Sequence, residues 1–275
     1  MEKCKVIAIA NQKGGTAKTT SAVNLGIGLA NEGKRVLLVD ADPQGDMTTS
    51  LGRTDQDILE VTLKTQMEKV ITDEEFDARE GILHHDEGVD FVPANIELST
   101  MEMTLVNAMS REFTMKNYLN RLKKDYDIIL IDCMPSLGML TVNALAAADS
   151  VIIPVQAHYL PLKGMTQLIK TINKVQRQIN PALKIDGVLL TLADMRTNMA
   201  RTTAETLRQN YGRVIRVYNT VIPVAIKVAE TSAAGKSIYK YDKNGSAAKA
   251  YEDFTREVMR DVEKERNKHE SSLSR

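Results

Sequence analysis

Ten residues, Asn11–Thr20 (NQKGGTAKTT), constrain this 275-residue chain more than any other stretch. The apolar run Val6–Ala10 precedes them and a helix-forming run from about Lys18 to Glu32 follows, so the glycine pair falls at a strand-to-helix turn. A turn of that composition suits a phosphate. Its backbone N–H groups converge on the anion, the helix N-terminus adds its dipole, the lysine adds charge, and a hydroxyl reaches Mg²⁺. A chain carrying such a turn commits to strand, crossover helix and parallel strand.

The remaining sequence continues the alternation. Val36–Asp40, Val89–Pro93, Ile128–Asp132, Val151–Pro154 and Gly187–Thr191 are, apart from Asp90 and their end residues, continuously apolar, the pattern of strands covered on both faces. Helix-like segments lie at about Thr114–Lys123, Leu140–Ala147, Leu162–Gln178 and Met199–Asn210. This pattern predicts an α/β fold, a doubly wound, mostly parallel sheet with helices on both faces. The acidic stretch Thr54–Gly88 is the least regular and reads as surface helices. Tyr251, Phe254, Val258 and Val262 recur at helical spacing, so a last helix packs on the core. With no internal repeat and no Pro/Gly/Ser linker, residues 1–263 read as a single domain, and the charged segment 264–275 as a frayed tail.

Composition removes several function classes. Two cysteines, Cys4 and Cys133, make neither a disulfide framework nor a four-ligand metal site. Trp is absent and aromatics are 4%, which argues against stacking platforms for single-stranded nucleic acid. No uncharged apolar stretch approaches the ~20 residues of a membrane span, and the first apolar run is too short for a signal peptide. The chain reads as cytoplasmic. Its zero net charge hides an asymmetry: Lys163–Lys249 carries 15 basic and 5 acidic residues, the remainder 21 and 31. Such a division can present a basic face to a polyanion, although solvated helix faces give the same count.

Carboxylates follow the loop in a consistent order. The second strand ends in Asp40-Ala41-Asp42, where two carboxylates beside a phosphate loop can hold Mg²⁺ waters and orient an attacking water. An acidic turn closing a strand would look the same. Ile128–Asp132 is an apolar strand ending in Asp, the form of a Walker B element, with Asp132 binding Mg²⁺ through water.

The literal pattern GxxxxGK[ST] fails, because position 12 is Gln and position 17 is Ala. The loop instead resembles the deviant Walker A loop, KGGxxK[ST], of the ParA/MinD group of ATPases. If position 17 needs a positive φ, Ala17 carries a strain of about 1–2 kcal/mol. The segments NQKGGTAKTTSAVNLGIGLA, VLLVDADPQGD, VPANIEL, YDIILIDCMPSLGMLTVNALAAADSVIIPVQ, GVLLTLADMRTN and NTVIP together resemble ParA/Soj-type partition ATPases over more than two hundred residues. The resemblance implies a P-loop NTPase fold, ATP and Mg²⁺ as cofactors, and a homodimer formed face to face with ATP sandwiched between subunits. Carried over position by position, Lys13, Gly14, Gly15, Thr16, Ala17, Lys18, Thr19 and Thr20 surround the nucleotide phosphates. Lys18 contacts the β- and γ-phosphates and Thr19 ligates Mg²⁺. Lys13 is the signature lysine that crosses to the partner's nucleotide, neutralising charge in trans as an arginine finger does. Asp42 positions the attacking water and Asp40 supports Mg²⁺ and the switch. Asp194 and Pro223 are the adenine contacts.

The same resemblance implies slow hydrolysis stimulated by a ParB-like centromere-binding partner, nucleoid association, and non-specific binding of double-stranded DNA through Arg196 and Lys227. Two departures stand out. Met134 replaces a second Pro of the family's switch loop, which implies a more mobile loop, and IPVAIK stands where the family has IPRNVR. A MinD-like membrane ATPase needs an amphipathic C-terminal helix, for which the tail after Val262 offers only Leu273. A nitrogenase-type cluster needs bridging cysteines that Cys4 and Cys133 do not supply. A nucleotide-dependent DNA-binding or regulatory module with little hydrolysis, its loop degenerate at Ala17, stays open as the rival reading. No helix-turn-helix extension precedes the first strand, so operator binding is not expected.

Overall fold

The computed structural model describes residues 4–157, 162–212 and 214–273, leaving aside the side chains of 162–164 and 265–273. The chain runs β1 (Lys5–Ile9), α1 (Lys18–Asn31), β2 (Val36–Ala41), α2 (Asp46–Ser50), α3 (Leu63–Ile71), β3 (Leu83–His85), β4 (Val89–Val92), α4 (Met101–Asn107), α5 (Thr114–Leu122), β5 (Ile128–Cys133) and α6 (Met139–Ala147). It continues through β6 (Ser150–Gln156), α7 (Leu162–Gln178), β7 (Lys184–Ala193), α8 (Asn198–Tyr211), β8 (Val217–Pro223), α9 (Ile226–Ala234), α10 (Ile238–Tyr241) and α11 (Ser246–Leu273). The strands lie in the order β3-β4-β2-β5-β1-β6-β7-β8. All neighbours are parallel except β3 against β4.

Strand periodicity divides the core between the two faces. Ile7 and Ile9 of β1 point to one side, where α1 and α11 bury Leu25, Ile27, Tyr251, Phe254 and Val258. Val6 and Ala8 point to the other, against Leu140, Leu145, Met165 and Leu168 of α6 and α7. Tyr218 on β8 meets Phe254 edge-on, with ring centroids 5.0 Å apart. The apolar run of the last helix is therefore the seam that closes one face of the sheet.

Two strands escape the continuous-apolar pattern. β3 is three residues at an edge. β8 carries Asn219 and Thr220, whose backbone N–H groups donate to the Glu257 carboxylate of α11 at 3.1 and 2.7 Å. The stretch Thr54–Gly88, expected to be surface helices, contributes only α3 as a regular α-helix, with Leu63, Gln66 and Met67 buried, and ends in β3. The backbone of α11 is helical through Leu273, across most of the segment read as a tail.

Buried amides tie the α6 face together. Asn180 donates through Nδ2 to the carbonyls of Leu145, Ala146 and Ala148 at 3.1, 3.3 and 2.7 Å, collecting the orphan acceptors at the end of α6. Asn180→Asp would set a carboxylate against those oxygens. It is expected to cost about 2–3 kcal/mol, read as a lowered urea midpoint, and an unchanged midpoint would refute this account. The amino edge of the sheet is closed by charge. Arg35 pairs with Asp127 at 2.8 Å, and the Val6 N–H donates to the Asp149 carboxylate at 2.8 Å.

Candidate functional site

The loops leaving the carboxyl ends of β1, β2 and β5 converge, as expected where a parallel sheet reverses its winding. Asn11 anchors the first loop: its Nδ2 donates to the Pro154 carbonyl at 2.7 Å, and its Oδ1 accepts the Lys13 N–H at 3.0 Å. Thr16 is buried, and its carbonyl accepts the Thr191 hydroxyl at 3.0 Å. The Gly15 carbonyl accepts the side-chain amide of Gln156. The first turn of α1 carries no acidic residue and no side-chain cap, so its N–H groups and dipole are left to an external anion. Lys18 is buried, at 7% exposure, whereas Lys13 is exposed.

Position 17 does need the left-handed conformation. Ala17 has φ 60° and ψ 36°, and Gly15 has φ 68°. The methyl group of Ala17 thus sits where a glycine would relax. Ala17→Gly is expected to stabilise the protein by about 1 kcal/mol, seen as a higher thermal midpoint without nucleotide. A lower midpoint would mean that the methyl packs favourably enough to outweigh the strain.

Parallel register places Asp40 directly beside Asp132 on the neighbouring strand. Both are fully buried, but their surroundings differ. The Asp40 carboxylate accepts the Thr48 N–H at 2.9 Å, the Thr48 hydroxyl at 2.7 Å and the Asp42 N–H at 3.3 Å. Burial pushes its pKa up to about 7 against the pull of those donors. Thr48 also accepts the Ala94 N–H at 3.0 Å, so Asp40 braces the turn after β2 and the start of α2. Among the described residues no donor lies within hydrogen-bond distance of either Asp132 oxygen, although the Thr19 hydroxyl is near enough to act on the carboxyl. Burial first, and then the neighbouring Asp40 charge, hold its carboxyl well above the usual range, with the Thr19 side chain and Lys18 pulling the other way. Asp42 accepts the Gln44 N–H at 3.1 Å, and burial raises its pKa against Lys18.

An orphaned buried carboxylate beside a threonine and a phosphate loop fits a divalent cation. Among the described residues no three His, Cys, Asp or Glu side chains converge on a metal position. Thr19, Asp132, waters and phosphate oxygens would have to share the coordination, a donor set that suits Mg²⁺. Asp40, also expected near the metal, has both oxygens engaged by Thr48 and Asp42.

The other expected residues gather at the far end of the same edge. Asp194 and Pro223 line one cleft of about 870 Å³ together with Arg196, Val221, Val224 and Ile226. Arg196 is 91% exposed and forms an ion pair with Asp194 at 2.8 Å, which holds that carboxyl down at about 2. Lys227 is 58% exposed and pairs with Asp242 at 2.9 Å. Exposed pairs of this kind are weak, so neither cation is locked to its partner. Cys4 and Cys133 are buried with raised pKa values, Cys4 to about 12, so neither offers a thiolate nucleophile.

Sequence reasoning missed the supports. Glu102 of α4 accepts the N–H groups of Met139 and Leu140 at 2.8 and 3.0 Å, capping α6 just after the loop that follows Asp132. That loop, expected to be loosened by Met134, is also tied by Ser136 N–H to the Met134 carbonyl at 2.8 Å and by the Thr141 hydroxyl to the Ser136 carbonyl at 2.9 Å. The available signal was a polar residue at a strand end or first helical turn, which by itself names no partner.

Comparison with known proteins adds to this geometry. The AAA domain family profile matches residues 4–185. The chain is 44% identical over 254 residues to the sporulation initiation inhibitor protein Soj of Bacillus subtilis, covering 92% of this chain and 98% of that protein. It is 40% identical to the chromosome partitioning protein ParA of Caulobacter vibrioides, covering 93% and 94%. Among solved structures, a cobyrinic acid a,c-diamide synthase from Mycobacterium smegmatis with bound ADP and magnesium superposes with a TM-score of 0.79 at 38% identity, covering 94% of both chains.

Proposed function

The chain belongs to the Soj/ParA family of partition ATPases, and from that premise we propose that it is an ATP-driven DNA-segregation switch. In this reading, ATP and Mg²⁺ convert the monomer into a sandwich homodimer that binds double-stranded DNA without sequence preference. A ParB-like centromere-binding protein then stimulates hydrolysis and resets it. The observation that carries the reading is the pair of lysines in one loop. Lys18 is buried beside the carboxylates, while Lys13 is exposed at the loop surface, available to a second subunit.

Each residue then has a task. The N–H groups of the loop and Lys18 bind the phosphates, and Thr19 and Asp132 hold Mg²⁺. The bound cation neutralises charge on the phosphate oxygens. Asp42 orients the attacking water, fixed by the Gln44 N–H. Lys13 enters the partner's site and balances charge as the terminal phosphate leaves. The cleft between Asp194 and Pro223 takes the base. Arg196 and Lys227 exchange their carboxylate partners for DNA phosphates, a charge effect that reads no bases. Such a protein works in the cytoplasm on the nucleoid. Among the described residues no helix is long and apolar enough to cross a membrane.

Light scattering with and without Mg·ATP tests this. Wild type should shift from monomer to dimer, and Asp42→Ala should make the dimer persist. In the same preparations, Lys227→Glu should weaken binding to unrelated duplexes equally and leave ATP binding intact. A chain that binds ATP yet stays monomeric would instead be the non-hydrolysing regulatory module.

A further inference from the structure

The exposed lysine is not free in the monomer. Strand β6 ends at Gln156, whose register partner on β7 is Thr191. Both side chains turn over the phosphate loop. The Thr191 hydroxyl donates to the Thr16 carbonyl, and the Gln156 amide donates to the Gly15 carbonyl. The Gln156 oxygen also accepts Lys13 Nζ at 3.4 Å. One amide therefore holds both the backbone of the loop and the side chain that leaves it.

We propose that Gln156 is a positioning residue that restrains Lys13 against its own subunit and so sets the threshold at which ATP draws Lys13 across to a partner. The chemistry suits a releasable hold. An amide oxygen is neutral, so a long bond from an exposed ammonium to it is weak and yields to a phosphate. A carboxylate at the same place would pair with Lys13 as an ion, and an apolar side chain would let it go. The amide can also keep its donor bond to Gly15 after the lysine has left, so release need not slacken the loop. This proposal rests on the sandwich-dimer reading for its consequence, but not for the contact itself.

The contact is tested in the nucleotide-free chain by the rate at which an amine-reactive ester acylates Lys13, followed by mass spectrometry and normalised to the exposed Lys124. Gln156→Ala is expected to raise that rate about threefold to fivefold, the worth of one weak hydrogen bond. Gln156→Glu is expected to lower it about as much at low salt, with the difference shrinking at 0.5 M salt as the introduced charge is screened. In parallel, the ATP concentration for half-dimerisation should rise for Gln156→Glu and not for Gln156→Ala. A residue that only braces the loop would shift both variants in one direction and show no salt rescue, which would overturn the proposal. So would acylation rates equal to wild type in both variants. If wild type fails to dimerise on ATP while the two acylation rates diverge as stated, the segregation-switch reading falls and the restraint on Lys13 stands.

Discussion

Lys18→Ala should bind ATP at least ~100-fold more weakly than wild type while remaining folded. The side chain is buried at the start of α1, beside Asp42 and Asp132, where it acts on both carboxyls. A charge-assisted contact to phosphate in that partly dry setting is worth about 3 kcal/mol, hence the two orders of magnitude. Its removal also leaves Asp42 and Asp132 without the lysine that offsets them, so a phosphate would meet a more negative pocket. Lys13→Ala supplies the contrast. That side chain is exposed and, among the described residues, its ammonium hydrogen-bonds to Gln156, so monomer affinity for ATP should stay within about threefold and turnover should be lost instead. Isothermal titration with ATP and Mg²⁺ separates the two. Equal affinities for Lys18→Ala and wild type would sink the site assignment.

Asp132→Asn should make the nucleotide-free protein more stable and the Mg·ATP-bound protein less so. Both oxygens of Asp132 are buried with no donor at hydrogen-bond distance among the described residues, and Asp40 lies beside it in register. An amide removes the repulsion without changing the volume, and a gain of about 1–3 kcal/mol follows for the apo state. The sign with pH follows from linkage. A carboxyl whose folded pKa is raised binds more protons when folded, so stability is full below the unfolded pKa of about 4 and is lost as pH rises through the folded one. For Asp40 that loss is complete near its value of about 7. Apo wild type should therefore lose stability between about pH 4 and 7, and Asp132→Asn should lose less over that range. The stabilisation that Mg·ATP adds should largely vanish in the variant, because a ligand stabilises only in proportion to its affinity. Thermal melts over pH 5–8, with and without Mg·ATP, decide it: a variant that melts below apo wild type, or keeps the full Mg·ATP gain, refutes the account.

The parts of this molecule legible in sequence are those whose chemistry is contiguous. The loop Asn11–Thr20, the Asp40-Ala41-Asp42 turn and the apolar strand before Asp132 each announce themselves within a few residues, and their strands are buried on both faces. β8 was harder. Asn219 and Thr220 break its apolar run because β8 is an edge strand with Asn219 exposed, and because Thr220 gives its N–H and hydroxyl to the Glu257 carboxylate 37 residues later. β3 was too short to show a period. The supports of the site were invisible for the same reason: Gln156, Thr191 and Glu102 act on backbone groups far away in the chain, and their partners exist only once the sheet has formed. Even the strain at Ala17 could be stated only conditionally, since a sequence lists an alanine without its φ.

The opposite rim of the sheet has a practical use. There the Arg35–Asp127 pair and the Asp149 carboxylate on the Val6 N–H close the starts of β1, β2 and β5, a full strand length from the phosphate loop. With about 3.3 Å of rise per residue, five residues of β1 put roughly 15 Å of packed backbone between the two rims. A fluorophore carried at Lys34 or Lys124 would travel with the subunit while staying clear of the nucleotide and of the face that the proposed sandwich dimer would cover. That rim is where an optical reporter of assembly belongs.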